Sequence, residues 1–159
     1  MSMVKDMNLA PSGHQKIQWV RDFMPALSGI EERFRREKPF EGLTIAVSVH
    51  LEAKTANLGL VLREGGAEVH LTGCNPLSTQ DDVAAAMADK GVETYGIHGV
   101  SMEEYENLLV ETLKCRPHLI ASISSLIRLR QRCMSRESTL NFWKTALLPT
   151  ARNIIPILR

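Results

Sequence analysis

Apolar residues set two rhythms along the chain. Over residues 13–36, Ile17, Val20, Met24, Leu27, Ile30 and Phe34 recur at three- and four-residue spacing with charges between them, the pattern of amphipathic helix. Pro25 interrupts it, and predicts either the end of one helix and the first turn of another or a kink in a single one. Leu43-Thr44-Ile45-Ala46-Val47-Ser48-Val49 is instead β-branched and nearly continuous in its apolar character, as expected of a strand covered on both faces. A helix over 53–64 follows, ended by Gly65-Gly66, since glycine adopts the left-handed cap conformation without strain. Then come a strand over 67–72, an alanine-rich helix over 79–90 stopped at Gly91, and a short strand over 93–97. Ser101 caps a helix running to about Lys114, with Glu104 three residues on as a capping box, and Pro117-His118-Leu119-Ile120 begins a fourth strand. Ser78 or Thr79 is placed to cap the helix over 79–90, with Asp81 and Asp82 favouring its positive end. Glu31, Glu32, Arg33, Arg35, Arg36 and Glu37 read as a solvated face.

Strands alternating with helices predict a parallel sheet with right-handed crossovers. The fold class is three-layer α/β, with a parallel sheet in Rossmann-like or flavodoxin-like order. Beyond Ile120 the alternation dissolves. Residues 122–132 fit a helix only loosely, and 153–159 fit an edge strand demoted by Pro156.

Composition narrows this reading. A chain of 159 residues corresponds to one domain. No run of about 18 apolar residues spans a membrane, and the N-terminus lacks the apolar core of a signal peptide, so a soluble cytoplasmic protein is expected. Cys74, Cys115 and Cys133 have no CxxC spacing, which points to neither zinc nor a disulfide framework. The net charge of +1 hides an asymmetry: residues 1–120 hold twelve Lys/Arg against seventeen Asp/Glu, whereas 121–159 hold seven basic residues and Glu137 alone. All ten glycines lie at or before Gly99. Such a shift marks a boundary or a segment of different origin.

The candidate chemistry lies at two strand-to-helix junctions, His50-Leu51-Glu52-Ala53-Lys54-Thr55-Ala56 and Asn75-Pro76-Leu77-Ser78-Thr79-Gln80-Asp81-Asp82. In open α/β sheets, ligands bind at the carboxyl ends of strands. His50, leaving a buried-type strand, is open to two roles: a general acid/base near neutral pH or a hydrogen-bonded strand-end histidine. Thr55 either donates to a ligand or bonds a carbonyl of its own helix. Glu52 and Lys54 are ligand contacts or an exposed charged pair. Gln80 both donates and accepts, which suits a sugar hydroxyl or a purine edge, or it is a surface helix residue. Cys74 lies in the second junction, and His70, His98 and His118 read as structural. No GxGxxG or GxxxxGK[ST] occurs, so nothing is pre-formed for a dinucleotide or nucleotide phosphates. The basic tail lacks the aromatic interleaving that would favour nucleic acid, and metal-ligand spacing is absent.

The two junctions, together with Gly66-Ala67-Glu68-Val69 and Val83-Ala84-Ala85-Ala86, resemble the N-terminal, substrate-binding part of S-adenosyl-L-homocysteine hydrolase. The likeness begins near Trp19, Met24-Pro25, Ile30 and Lys38-Pro39-Phe40-Glu41-Gly42. It runs through Glu103-Glu104-Tyr105 to Pro117–Ile120, so that residues 1–120 form the N-terminal part of that domain. The HLEAKTA wording resembles the branch common in archaea and thermophilic bacteria. The resemblance implies reversible hydrolysis of S-adenosylhomocysteine to adenosine and homocysteine, with a held NAD oxidising the ribose 3′-hydroxyl before elimination and hydration. It implies that His50 assists proton transfer near the 5′ position, that Glu52, Lys54 and Thr55 line the adenosine pocket, and that Gln80 lies near the base. It also implies homo-oligomers, usually tetramers.

The departures carry equal weight. After its fourth strand the family continues with paired aspartates and a glycine, whereas this chain continues Ala121-Ser122-Ile123-Ser124-Ser125. The family's Glu-Thr-Thr-Thr-Gly region, its later lysine and aspartate, its NAD domain and its C-terminal arm have no counterpart here. Residues 121–159 are therefore expected to be an off-family basic tail, off-frame or otherwise foreign, on an incomplete substrate-binding domain. The chain alone is expected to bind adenosine or S-adenosylhomocysteine weakly, to bind no NAD and to lack turnover. The alternative is a non-catalytic adenosine-binding or subunit-interacting module. Nucleic acid and membrane are not expected partners. An unpaired sheet edge is expected to make the protein marginal or aggregation-prone.

Overall fold

In the computed structural model, which describes residues 1–122, Pro25 separates two helices. The first, α1 (Ala10–Asp22), starts with Pro11 in its first turn, and α2 (Pro25–Glu37) carries Pro25 at its own start, where a missing N–H costs nothing. The elements that follow are β2 (Thr44–Ser48), α3 (Ala53–Glu64), β3 (Glu68–Thr72), α4 (Asp81–Asp89), β4 (Glu93–Gly96), α5 (Met102–Leu113) and β5 (Leu119–Ser122). Ahead of them all lies a two-residue strand, β1 (Met3–Val4), which the hydrophobic pattern does not announce, and a 3-10 turn over Met7–Leu9. The expected helix 53–64 is reproduced to the residue, and Gly66 closes it at φ 93°. The Ser101–Glu104 capping box is present in both directions.

The strands are all parallel, in the order β1-β4-β3-β2-β5. From β2 the chain winds outward through β3 to β4, then crosses back beneath α5 to place β5 on the other side of β2. This reversal is the Rossmann-like order, and it puts a topological switch point between β2 and β5. Helices α3 and α4 cover one face, with α1 laid across both, and α5 covers the other. The main core joins Ile45, Val47, Val69 and Leu71 of the sheet to Ile17, Val20, Leu60, Val83 and Met87 of the helices. The opposite face is more polar, with Thr44, Ser48, His70 and Thr72 buried there in register. Every residue of β2 is buried, as its apolar run predicted.

Two expectations are corrected. Glu31 is not part of a solvated face: it is 3% exposed and accepts from Arg21 at 2.5 Å and Arg35 at 2.8 Å. The face it occupies turns towards α1 and α3, and a carboxylate is tolerated there because two guanidinium groups pair it. Nor do Ser78 and Thr79 cap α4. Its N-cap is Gln80, with no side-chain cap bond. The helix start is held instead by its own acids, which bond outward. Asp81 accepts from the His98 N–H at 2.8 Å and pairs with Lys5 at 3.1 Å. Asp82 accepts from Ser12 at 3.0 Å and pairs with Lys16 at 2.7 Å, so α1 is fastened to α4. Residues 123–159, with the tail and its expected helix and strand, lie outside the described residues.

Asp82 makes this fastening sensitive to acid. Burial alone would raise its pKa, but the bonds from Lys16 and Ser12 and the charge of Lys16 outweigh it and hold the carboxyl below its ordinary value. A depressed folded pKa gives stability that is complete above the unfolded value, near pH 4, and lost as pH falls through the folded one. Asp82→Asn is expected to lower stability at pH 7 by about 1 kcal/mol. Urea midpoints of the variant should fall less steeply than those of the natural chain between neutral and acid pH. Parallel curves would show that Asp82 plays no part in the acid response.

Candidate functional site

The site is assembled from loops at the carboxyl edge of the sheet. After Ser48 the chain leaves β2 through Val49 and His50 and makes a tight turn in which the Glu52 N–H donates to the His50 carbonyl at 2.9 Å. Leu51, between them, is fully buried. Its apolar side chain draws the turn down onto the sheet, while its neighbours His50 and Glu52 stay exposed and half-buried respectively. Glu52 is the N-cap residue of α3, in extended conformation. Lys54 is exposed in the first turn of α3, and Thr55, one residue on, is 7% exposed.

The second junction is an Asn-Pro turn. Asn75 Oδ1 accepts from the Leu77 N–H at 2.9 Å, and the Ser78 hydroxyl accepts from the Asn75 N–H at 3.3 Å while donating to the Asn75 carbonyl at 3.1 Å. These local bonds satisfy a loop that has no sheet partners. Two contacts join it to the first junction. The Gln80 N–H donates to the Leu51 carbonyl at 2.9 Å, and Cys74 Sγ lies 3.0 Å from His50 Nδ1. A third loop closes beside them, with the Gly99 N–H donating to the Pro76 carbonyl at 2.9 Å.

Not every candidate residue converges. His50 and Cys74 meet, and Glu52, Lys54 and Thr55 follow on the same helix start. Gln80 is tied to the first junction through its backbone, but its side-chain oxygen accepts from Lys16 of α1 at 3.3 Å. Sequence reasoning placed Cys74 in the second junction without foreseeing the histidine contact. At the same edge, Thr72 Oγ1 and Ser122 Oγ are buried without a partner among the described residues. They flank Ser48 on the neighbouring strands in register. The described residues hold no cluster of three or more potential metal ligands.

In doubly wound sheets a dinucleotide pyrophosphate rests on a glycine-rich turn after the first strand of the motif. Here that turn is His50-Leu51-Glu52, without glycine and with a carboxylate at the helix N-cap. The turn after β2 therefore does not have the glycine-rich form on which a dinucleotide pyrophosphate rests.

Residues 1–123 match the family described as S-adenosyl-L-homocysteine hydrolase. The chain belongs to that family. Among curated members it is 57% identical over 120 residues to the S-inosyl-L-homocysteine hydrolase of Methanococcus maripaludis, covering 76% of this chain and 29% of that protein. It is 52% identical over 117 residues to the adenosylhomocysteinase of Pyrococcus abyssi, covering 74% of this chain and 28% of the relative. With the adenosylhomocysteinase of Thermococcus kodakarensis, 47% identity extends over 133 residues, or 80% of this chain and 32% of that one. This adenosylhomocysteinase-family chain thus spans less than a third of the length of these relatives. The described residues include no helix long and apolar enough to cross a membrane.

Proposed function

We propose that this chain carries one wall of a purine-nucleoside pocket, the N-terminal part of the substrate-binding domain of an adenosylhomocysteinase-type hydrolase. The observation that carries the reading is the convergence of His50 and Cys74 from two loops at the carboxyl edge, beside the switch point. In this reading His50 transfers a proton near the 5′ position, because an imidazole gains and loses protons near pH 7. Thr55 presents a hydroxyl and Glu52 a carboxylate along the nucleoside, and Gln80 stands near the base. The family match ends at residue 123, the tail beyond it is foreign to the family, and NAD belongs to the longer relatives' part of the reaction. The isolated chain binds nucleoside without turning it over.

A second reading concerns the base. Lys54 offers three donors and no acceptor, which complements the 6-oxo group of hypoxanthine and not the 6-amino group of adenine. The S-inosyl-L-homocysteine hydrolase names of relatives at 57% and 53% identity favour inosine as well. Titration calorimetry with adenosine and inosine tests both readings. One wall of a pocket is expected to bind with Kd on the order of 1 mM, unaffected by added NAD. If Lys54 reads the base, inosine is preferred by about tenfold, the worth of one exposed charge-assisted bond, and Lys54→Glu reverses the preference. Binding of neither nucleoside would overturn the proposed pocket, and release of homocysteine from S-adenosylhomocysteine by the isolated chain would overturn the absence of turnover.

A further inference from the structure

The environment of Cys74 constrains the one proton on its sulfur. The residue is 7% exposed, two positions beyond the end of β3, and is held in the Asn75–Ser78 turn. Three polar atoms surround Sγ: His50 Nδ1 at 3.0 Å, Asn75 Nδ2 at 3.5 Å and the Ser78 hydroxyl at 3.6 Å. Asn75 Nδ2 is a donor and takes a sulfur lone pair. The Ser78 hydroxyl already bonds the Asn75 backbone in both directions. Of the two acceptors within reach, the imidazole nitrogen is the closer and the more basic. With Nδ1 as the acceptor, the thiol proton goes to His50, and the longer contact to Ser78 is left as the alternative for the opposite tautomer.

A neutral imidazole that accepts at one nitrogen carries its proton on the other. His50 makes no other side-chain hydrogen bond among the described residues, so Cys74 is the protein group placed to set its tautomer. We infer that Cys74 is a positioning residue for His50: its S–H donates to Nδ1, fixes the ring and holds the histidine proton on Nε2. This is the role that the second partner of a working histidine commonly fills, except that the partner here is a thiol where a carboxylate or carbonyl is usual. The importance of that tautomer for proton transfer rests on the function proposed above; the hydrogen bond does not.

The two can be tested apart. The S–H stretch absorbs where other protein groups do not, and Cys115, which donates to the Thr112 carbonyl at 3.0 Å, supplies an internal reference thiol. Infrared spectra of the whole chain carrying Cys133→Ser are expected to show one S–H band below that of the reference, lost on adding Cys74→Ser and moved to higher frequency on adding His50→Phe. Long-range nitrogen–proton spectra of the chain labelled at histidine are expected to show His50 as a single tautomer protonated at Nε2. Cys74→Ala should admit the second tautomer, and Cys74→Ser, which keeps a donor, should restore the first. An unshifted S–H band, a band indifferent to His50→Phe, or a His50 spectrum unchanged in Cys74→Ala would overturn the inference. Failure to bind either nucleoside would remove the proposed function and leave these spectra as they are.

Discussion

Gly13→Ala is expected to destabilise the fold by about 3 kcal/mol, at the upper end of what overpacking costs. A methyl group at position 13 would lie 2.0 Å from the Asp82 carbonyl oxygen and 2.8 Å from Ala86 Cβ. The first of these is backbone at the start of α4, so no side-chain rotation relieves it. Alanine's better helix propensity returns about 1 kcal/mol at most, and the clash dominates. Because Asp82 also holds Ser12 and Lys16, pushing α1 outward strains those bonds too. The measurement is a urea midpoint at pH 7, with the slope checked for two-state behaviour. A midpoint equal to that of the natural chain would mean that α1 does not press on α4 at Gly13.

Leu51→Ala is expected to cost about 2–4 kcal/mol, the range for emptying a buried leucine site. The side chain is fully buried, and a Cβ on Gly96 of β4 would stand only 2.6 Å from Leu51 Cδ2, which shows how closely the leucine lies against that strand. Leu51 also separates His50 from Glu52 and lends its carbonyl to Gln80. The variant should therefore loosen the candidate site as well as lower the urea midpoint, read as faster amide exchange at Glu52 and Gln80 than the global loss accounts for. Exchange that rises only in proportion to global stability would separate Leu51's packing role from the site.

The fold was legible wherever an element was long enough to show a period. The Pro25 break, the helix over 53–64 and the Ser101 capping box each rest on local residues, and each is found in place. Strand β1 was not legible, because two residues cannot display an alternation and its partner β4 lies far along the chain. Glu31 was misread for a related reason. Spacing identifies a polar stripe, but only the packing of α1 and α3 against α2 decides that Glu31 is enclosed between Arg21 and Arg35. At the site, motif wording brought out His50, Glu52, Lys54, Thr55 and Gln80 as a group. The sulfur–nitrogen contact joins residues 24 positions apart. The diversion of Gln80 towards Lys16 joins residues 64 apart. Such pairings follow from the path of the loops in space.

The N-terminal strand bears on the order in which the chain folds. Met3 pairs with Tyr95 and Val4 with Gly96, while α1 rests chiefly on α4. Residues 3–22 therefore wait for residues 81–96 before they meet their main partners. Parallel pairing between distant segments is slow to form, and until then the outer edge of β4 and the inner side of α1 remain exposed together. Folding of this domain is thus a matter of residues 3–22 being recruited by residues 81–96.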